Sequence, residues 1–232
     1  MQTMGLIGGM SWESTVSYYK IINTVVKERL GGLHSARCVL YSVDFQELEE
    51  CLREGNWDRI ADILGEAGRT LERAGAEFAV ICTNTMHNVA RQVEQRLSIP
   101  LLHIADATAD VILARGLRRV GLLGTAYTME KDFYTGRLRE RGLDALTPGA
   151  DDRAELNRII FEELCLGRVL PGSRAKLMAD IDALAAQGAE GVILGCTELG
   201  MLVTQDDTAV PLFDTADIHA RSAALRALGL GG

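Results

Sequence analysis

Val192-Ile193-Leu194-Gly195-Cys196-Thr197-Glu198-Leu199-Gly200 decides how the chain is read. A short apolar run, a glycine and then a thiol followed by small polar residues reads as a buried strand that delivers a cysteine to its C-terminal end. In open parallel α/β sheets, ligands bind outside the carboxyl ends of the strands. Backbone N–H groups at a strand-to-helix junction favour a thiolate, and a thiol whose pKa is lowered into the neutral range can transfer protons. A lone cysteine in such a run is more often an inert core residue. This one has a counterpart in the first half of the chain, Phe78-Ala79-Val80-Ile81-Cys82-Thr83-Asn84-Thr85.

Composition narrows the setting. The 232 residues are 47% hydrophobic and 24% charged, as expected for a globular protein. A net charge of −8 argues against a nucleic-acid surface, which needs concentrated Lys and Arg. Five cysteines at irregular spacings point to a reducing cytoplasm rather than a disulfide framework. The opening residues Met1-Gln2-Thr3-Met4 carry no basic region and cleavage site, and no apolar run reaches the ~20 residues of a membrane helix. The expectation is a soluble cytoplasmic protein with neither a membrane nor a nucleic acid as partner.

The chain reads as two copies of one plan. Strands are expected at 4–7, 39–43, 78–82 and 100–104, with a glycine turn at Gly8-Gly9 and helices around 12–30, 45–53, 60–74 and 86–97. Trp12, Val16, Tyr19, Ile22, Val26 and Leu30 share helical spacing and are expected in the core, with Ser11 or Ser14 as the cap. Val120-Gly121-Leu122-Leu123-Gly124-Thr125 then repeats Met4-Gly5-Leu6-Ile7-Gly8-Gly9. Helices follow over 129–141, 154–166 and 174–187, with a weak strand at 144–147. Val210-Pro211-Leu212-Phe213 repeats Ile99-Pro100-Leu101-Leu102, and Asp214-Thr215 caps a last helix. Alternating strands and helices imply parallel sheets. The predicted fold is α/β, with two pseudo-symmetric domains and an active site in the cleft between them. Each domain is a mostly parallel four-stranded sheet flanked by helices. The first domain is expected over 1–98 plus 211–232 and the second over 99–210.

One polar or nucleophilic group from each half suits a reaction on opposite faces of one carbon. Racemisation is such a reaction, since one group removes the α-proton while the other returns a proton to the far face. The carbanion-like intermediate needs hydrogen bonds at the carboxylate, which N–H groups of Asn84, Thr85 and Thr197 can supply. Two other classes weigh less. A dinucleotide-dependent oxidoreductase would need G-x-G-x-x-G, which Gly5-Leu6-Ile7-Gly8-Gly9-Met10 does not match. A non-catalytic small-molecule binding module is the other.

Gly8-Gly9-Met10-Ser11-Trp12-Glu13-Ser14-Thr15, Asn84-Thr85-Met86-His87, Gly195-Cys196-Thr197-Glu198 and Phe213-Asp214-Thr215, in this order, resemble the PLP-independent aspartate/glutamate racemases of the Asp/Glu/hydantoin racemase group. The resemblance spans essentially the whole chain. It looks closest to the bacterial branch described as L-aspartate/glutamate-specific or broad-specificity. It implies an amino-acid racemase with no cofactor, no metal and commonly a homodimeric assembly. Typical members carry Cys-Asn-Thr in the first half, where this chain has Thr83-Asn84-Thr85. The family register therefore puts Thr83 opposite Cys196 as the catalytic pair, whereas a gapless pairing of the two copies puts Cys82 there. Adjacent strand residues face opposite ways, so the two registers exclude one another. In the family register Asn84 and Thr85 bind the α-carboxylate, Met10, Thr197 and Glu198 complete the substrate contacts, and His87 lies behind the site. Glu198 would orient the ammonium group, unless it is simply an acidic residue at a helix start.

The stretches in which some aspartate racemases place an Arg and a Lys for the distal carboxylate, here Asp44–Leu48 and Glu163–Leu166, offer neither, and Leu52 stands where close relatives have a glutamine. Aspartate and glutamate head the implied substrates, with neutral amino acids such as homoserine or methionine as the alternative. The decarboxylase and isomerase cousins, which use a single cysteine, form a further alternative.

Overall fold

A computed structural model describes residues 1–230. The chain divides into two compact units, Met1–Ile104 with His219–Gly232, and Ala105–Ile218. In the first unit, β1 (Met4–Gly8) leads into α1 (Trp12–Leu30), β2 (Cys38–Ser42), α2 (Phe45–Glu54), α3 (Trp57–Arg73) and β3 (Phe78–Ile81). A 3-10 turn at Thr85–Val89, α4 (Ala90–Glu94) and β4 (Leu101–Leu102) follow. After α5 (Ile104–Ala114), the second unit holds β5 (Arg119–Gly124), α6 (Ala126–Glu130), α7 (Asp132–Glu140), β6 (Asp144–Leu146) and α8 (Ala150–Glu162). It continues with α9 (Pro171–Ala186), β7 (Val192–Gly195) and β8 (Leu212–Asp214), and α10 (Thr215–Ala227) is the last helix among the described residues.

Both sheets are four-stranded and wholly parallel, in orders β2-β1-β3-β4 and β6-β5-β7-β8. The central strands β1, β3 and β7 are buried along their length, as expected where helices cover both faces. Glycine marks the same point in each sheet. A Cβ on Gly5 would sit 3.1 Å from Leu71 Cβ of α3, and one on Gly121 would sit 2.9 Å from Leu184 Cδ1 of α9. In each unit the helix preceding the third strand lies too close to the first strand for any side chain there.

Several elements differ from the sequence expectation. β4 pairs with β3 and β8 with β7, so each closing strand stays with its own half. The units accordingly divide after Ile104 and after Ile218, rather than after 98 and 210. The expected helix at 86–97 is a 3-10 turn followed by a short α4, and the expected helix at 129–141 is the pair α6 and α7, with extended Lys131 between them. α5 has no counterpart in the sequence reading.

The face of α1 is the largest correction. Ser14, Thr15, Tyr18, Ile22, Val25 and Val26 are buried, whereas Trp12, Val16 and Tyr19 are 64%, 57% and 54% exposed and Leu30 is exposed as well. The apolar arc of this helix is wider than the arc the core covers, and helical spacing does not say which part is covered. Neither expected serine caps the helix through its side chain in the ordinary way. Thr15 Oγ1 accepts from Gly9 N at 2.9 Å and donates to the Ser11 carbonyl at 3.0 Å, while Ser14 Oγ also donates to that carbonyl. Gly9 has φ +94° and a Cβ there would lie 2.3 Å from the Val43 carbonyl oxygen, so the turn requires glycine.

Polar groups are buried within the first unit. Tyr18 Oη donates to His219 Nδ1 at 2.8 Å, and His219 Nε2 donates to the Leu102 carbonyl at 2.9 Å. The rings of His103 and His219 lie 4.5 Å and 5.8 Å from that of His87. Burial holds the His219 pKa down at about 4. A histidine kept neutral in the fold and free to charge when unfolded stabilises the protein above pH ~6.5, and that contribution is lost as pH falls towards 4. Chemical denaturation across this window should lose about 3 kcal/mol through this group. His219→Gln, which gains no charge, should show a flatter slope; an unchanged slope would point to other groups.

Candidate active site

The ends of β1 and β3 lie at one edge of the first sheet and carry Gly9, Met10, Thr83, Asn84 and Thr85. The ends of β5 and β7 carry Thr125, Cys196, Thr197 and Glu198 in the second unit. Within each sheet, parallel strands deliver these residues to one edge because every strand of that sheet runs the same way.

The ladders fix which residues correspond between the halves. Gly5 pairs with Ala79, and Gly121 pairs with Val192. Running forward, Ile7 pairs with Ile81 and Leu123 with Leu194, and Cys82 N then donates to Ile7 O at 2.9 Å. Cys82 therefore corresponds to Gly195, and Thr83 to Cys196. The gapless register that matches Cys82 with Cys196 is one residue out of step. Exposure agrees, since Cys82 is 0% exposed while Thr83 and Cys196 keep 8% and 7%. Burial pushes the Cys82 thiol far above the ordinary range, with the nearby Cys38 adding to it.

Asn84 and Thr85 are buried at the start of the 3-10 turn, so two residues expected at the carboxylate stand directly beside Thr83. Thr83 N donates to Ile81 O at 2.9 Å, which turns the chain sharply at the strand end. Met10, 3% exposed, lies in the turn after β1, next to a cis peptide joining it to Ser11.

In the second unit, Cys196 Sγ donates to Glu198 Oε2 at 3.1 Å, and Thr197 Oγ1 donates to the same oxygen at 2.7 Å. Thr197 is partly buried and Glu198 is 4% exposed. Burial, then the Glu198 charge, then the nearby Cys165 push the Cys196 thiol well above its usual range. The element after β7 is a three-residue 3-10 turn, Leu199–Met201, too short to supply a helix dipole. Glu198, the candidate for the substrate ammonium, accepts the hydrogen bond of the Cys196 thiol. The Cys-Thr-Glu spacing was the signal for this role, because a turn brings residues i and i+2 together.

Asp214, at the end of β8, accepts from Ala216 N at 2.9 Å and Asp217 N at 3.2 Å, which is the cap expected for the last helix. Burial raises its pKa, with the charges of Asp217 and Glu198 adding to the effect. Among the described residues, no group of three or more His, Cys, Asp or Glu side chains is placed to hold a metal ion.

A thiol hydrogen-bonded to a carboxylate thus stands just beyond β7, and a hydroxyl holds the corresponding place just beyond β3. The pattern of the Asp/Glu/Hydantoin racemase family matches residues 7–223, and the chain belongs to that family. A Yersinia pestis crystal structure, provisionally described as an Asp/Glu racemase, is 53% identical, covers 98% of this chain and 100% of its own, and has a TM-score of 0.92. An aspartate racemase homologue from Pyrococcus horikoshii is 39% identical, with coverages of 98% and 100% and a TM-score of 0.85. The broad-specificity amino-acid racemase RacX of Bacillus subtilis is 25% identical over 94% of this chain and 95% of its own.

Alkylation of Cys196 by iodoacetamide should have its pH midpoint above that of a free thiol. Glu198→Gln should move the midpoint down, because removing the neighbouring negative charge eases ionisation. A midpoint near neutrality in the unsubstituted protein would contradict the burial argument.

Proposed function

We propose that this protein is an amino-acid racemase that works without pyridoxal phosphate or metal. The observation that carries the reading is the 3.1 Å contact from Cys196 Sγ to Glu198 Oε2, at a strand end whose counterpart in the other unit bears the Thr83 hydroxyl. The thiol passes its proton to Glu198, and the resulting thiolate takes the α-proton of the substrate. The Thr83 hydroxyl relays a proton to the opposite face of the same carbon, taking one from solvent water as it gives its own, so that the hydroxyl is regenerated. Backbone N–H groups of Asn84, Thr85 and Thr197 hold the carboxylate as charge builds up on it, and Met10 lies against the substrate. Preformed donors of this kind contribute about 3 kcal/mol each where single ones have been removed from other enzymes.

Aspartate and glutamate head the proposed substrates. A second reading, neutral amino acids such as homoserine, is supported by α2 and the 163–166 turn. Leu52 is buried, and the Glu163 carboxylate accepts from Arg158 at 2.9 Å and from Ser173. The broad-specificity relative agrees with that range. No helix among the described residues is long and apolar enough to cross a membrane. The five free cysteines support a cytoplasmic setting. The proposed partner is a second copy of the chain, and the exposed Trp12, Val16 and Tyr19 stripe supports a homodimer.

Deuterium wash-in at the α-position tests the chemistry. An L- or D-amino acid from the proposed range should exchange in D2O, and Cys196→Ala should slow exchange by about 10²-fold or more. Thr83→Ala should block conversion between enantiomers while the enantiomer that Cys196 deprotonates still exchanges. Decarboxylation without exchange would favour the cousin enzymes, and silence across a substrate panel would favour a binding module. For the assembly, light scattering should give twice the chain mass, with Val16→Glu plus Tyr19→Glu giving the monomer; a monomeric unsubstituted protein would remove that proposal.

A further inference from the structure

We propose that His87 is a positioning residue for Thr83, acting through the Thr83 main chain in one fixed tautomer; this rests on the racemase reading. His87 grips the turn that carries Thr83 at two points. Its backbone N–H donates to Asn84 O at 3.0 Å, and its ring Nδ1 lies 2.7 Å from Thr83 O. A carbonyl only accepts, so Nδ1 carries the hydrogen. Ile104 N donates to Nε2 at 3.2 Å, so Nε2 carries none. The ring is thus a neutral strut with both nitrogens engaged, between the Thr83 carbonyl and the backbone after β4. It is 2% exposed, and water does not compete for either bond.

The strut is backed from other elements. His103, next to β4, and His219, on α10, face the ring of His87. His219 is held in turn by Tyr18 of α1 and by the Leu102 carbonyl. With its N–H fixed on Ile81 O and its carbonyl fixed on His87, Thr83 has little backbone freedom, and its hydroxyl is aimed by the backbone that carries it.

This matters more for Thr83 than for Cys196. The thiol has the Glu198 carboxylate as its proton acceptor, whereas a hydroxyl is far harder to ionise and works as a relay only when well aligned. His87 exchanges no proton with the substrate, because both of its nitrogens are committed. Its loss should therefore fall on the Thr83 half of the reaction alone.

The experiment measures initial α-deuterium exchange from each enantiomer separately, with kcat and KM for conversion, in the unsubstituted protein and in His87→Ala, His87→Asn and Thr83→Ala. His87→Ala should reduce kcat for conversion by about tenfold or more, with KM changed by less than about threefold. Exchange of the enantiomer served by Cys196 should persist, as in Thr83→Ala. His87→Asn places an amide N–H near the position of Nδ1 and should recover much of the lost rate. Equal losses for both enantiomers, or no loss in a folded His87→Ala, would overturn the inference. No exchange in the unsubstituted protein would sink the racemase reading instead. In that event NMR still decides the positioning. Long-range proton–nitrogen spectra should show the Nδ1–H tautomer, and amide exchange at Thr83 should accelerate in His87→Ala and slow again in His87→Asn. The other tautomer, or unaltered Thr83 protection, would overturn it.

Discussion

The hydrogen-bond ladders of β1 with β3 and of β5 with β7 set the position of every functional group. These strands are buried on both faces, so a slip of one residue would drive each inward side chain into the opposite layer. Leu71 and Leu184 lie where only Gly5 and Gly121 leave room, which fixes each first strand against the helix above it. The residues just beyond the ladders inherit that register. Thr83 and Cys196 hold corresponding places because the ladders correspond, although the two halves share few identical residues there.

On that common frame the two halves are finished with different chemistry. In the second, a buried thiol meets a carboxylate, and burial together with the negative charge keeps the proton on sulfur. In the proposed reaction the proton of such a thiol needs somewhere to go, and Glu198 is the acceptor within hydrogen-bond distance. In the first, a hydroxyl stands at the end of a turn pinned by an imidazole, with a tyrosine and two further histidines behind it. One half has a hydrogen-bond acceptor beside its thiol, the other a backbone held at two points beneath its hydroxyl. The same topology can carry both because sites are built on strand ends, while the sheets beneath need only stay parallel and packed.

The succession of strands along the chain, the duplication and the strand-end placement of Cys196 and of the adjacent pair Cys82 and Thr83 were legible in the chain itself. Each strand is a short apolar run closed by glycine or a small polar residue, and each recurs at nearly constant spacing in the second half. What was not legible follows from how the elements meet. Periodicity on α1 identified a helix, but Trp12, Val16 and Tyr19 lie on the part of its apolar arc that the core leaves open. α5 was missed because its apolar residues follow directly on the β4 run. The helix-like stretch after Thr83 became a 3-10 turn, since the ring of His87 folds back onto the Thr83 carbonyl.

By itself, then, the sequence determined a duplicated parallel α/β chain with Cys196 at one strand end and the pair Cys82 and Thr83 at its counterpart, because local apolar runs and glycines encode strands and turns. Only the tertiary structure decided the register between Thr83 and Cys82, the upward shift of the Cys196 thiol, its pairing with Glu198 and the grip of His87 on Thr83. Those depend on which atoms are brought within about 3 Å and kept from water, a property of packed neighbours rather than of any one segment.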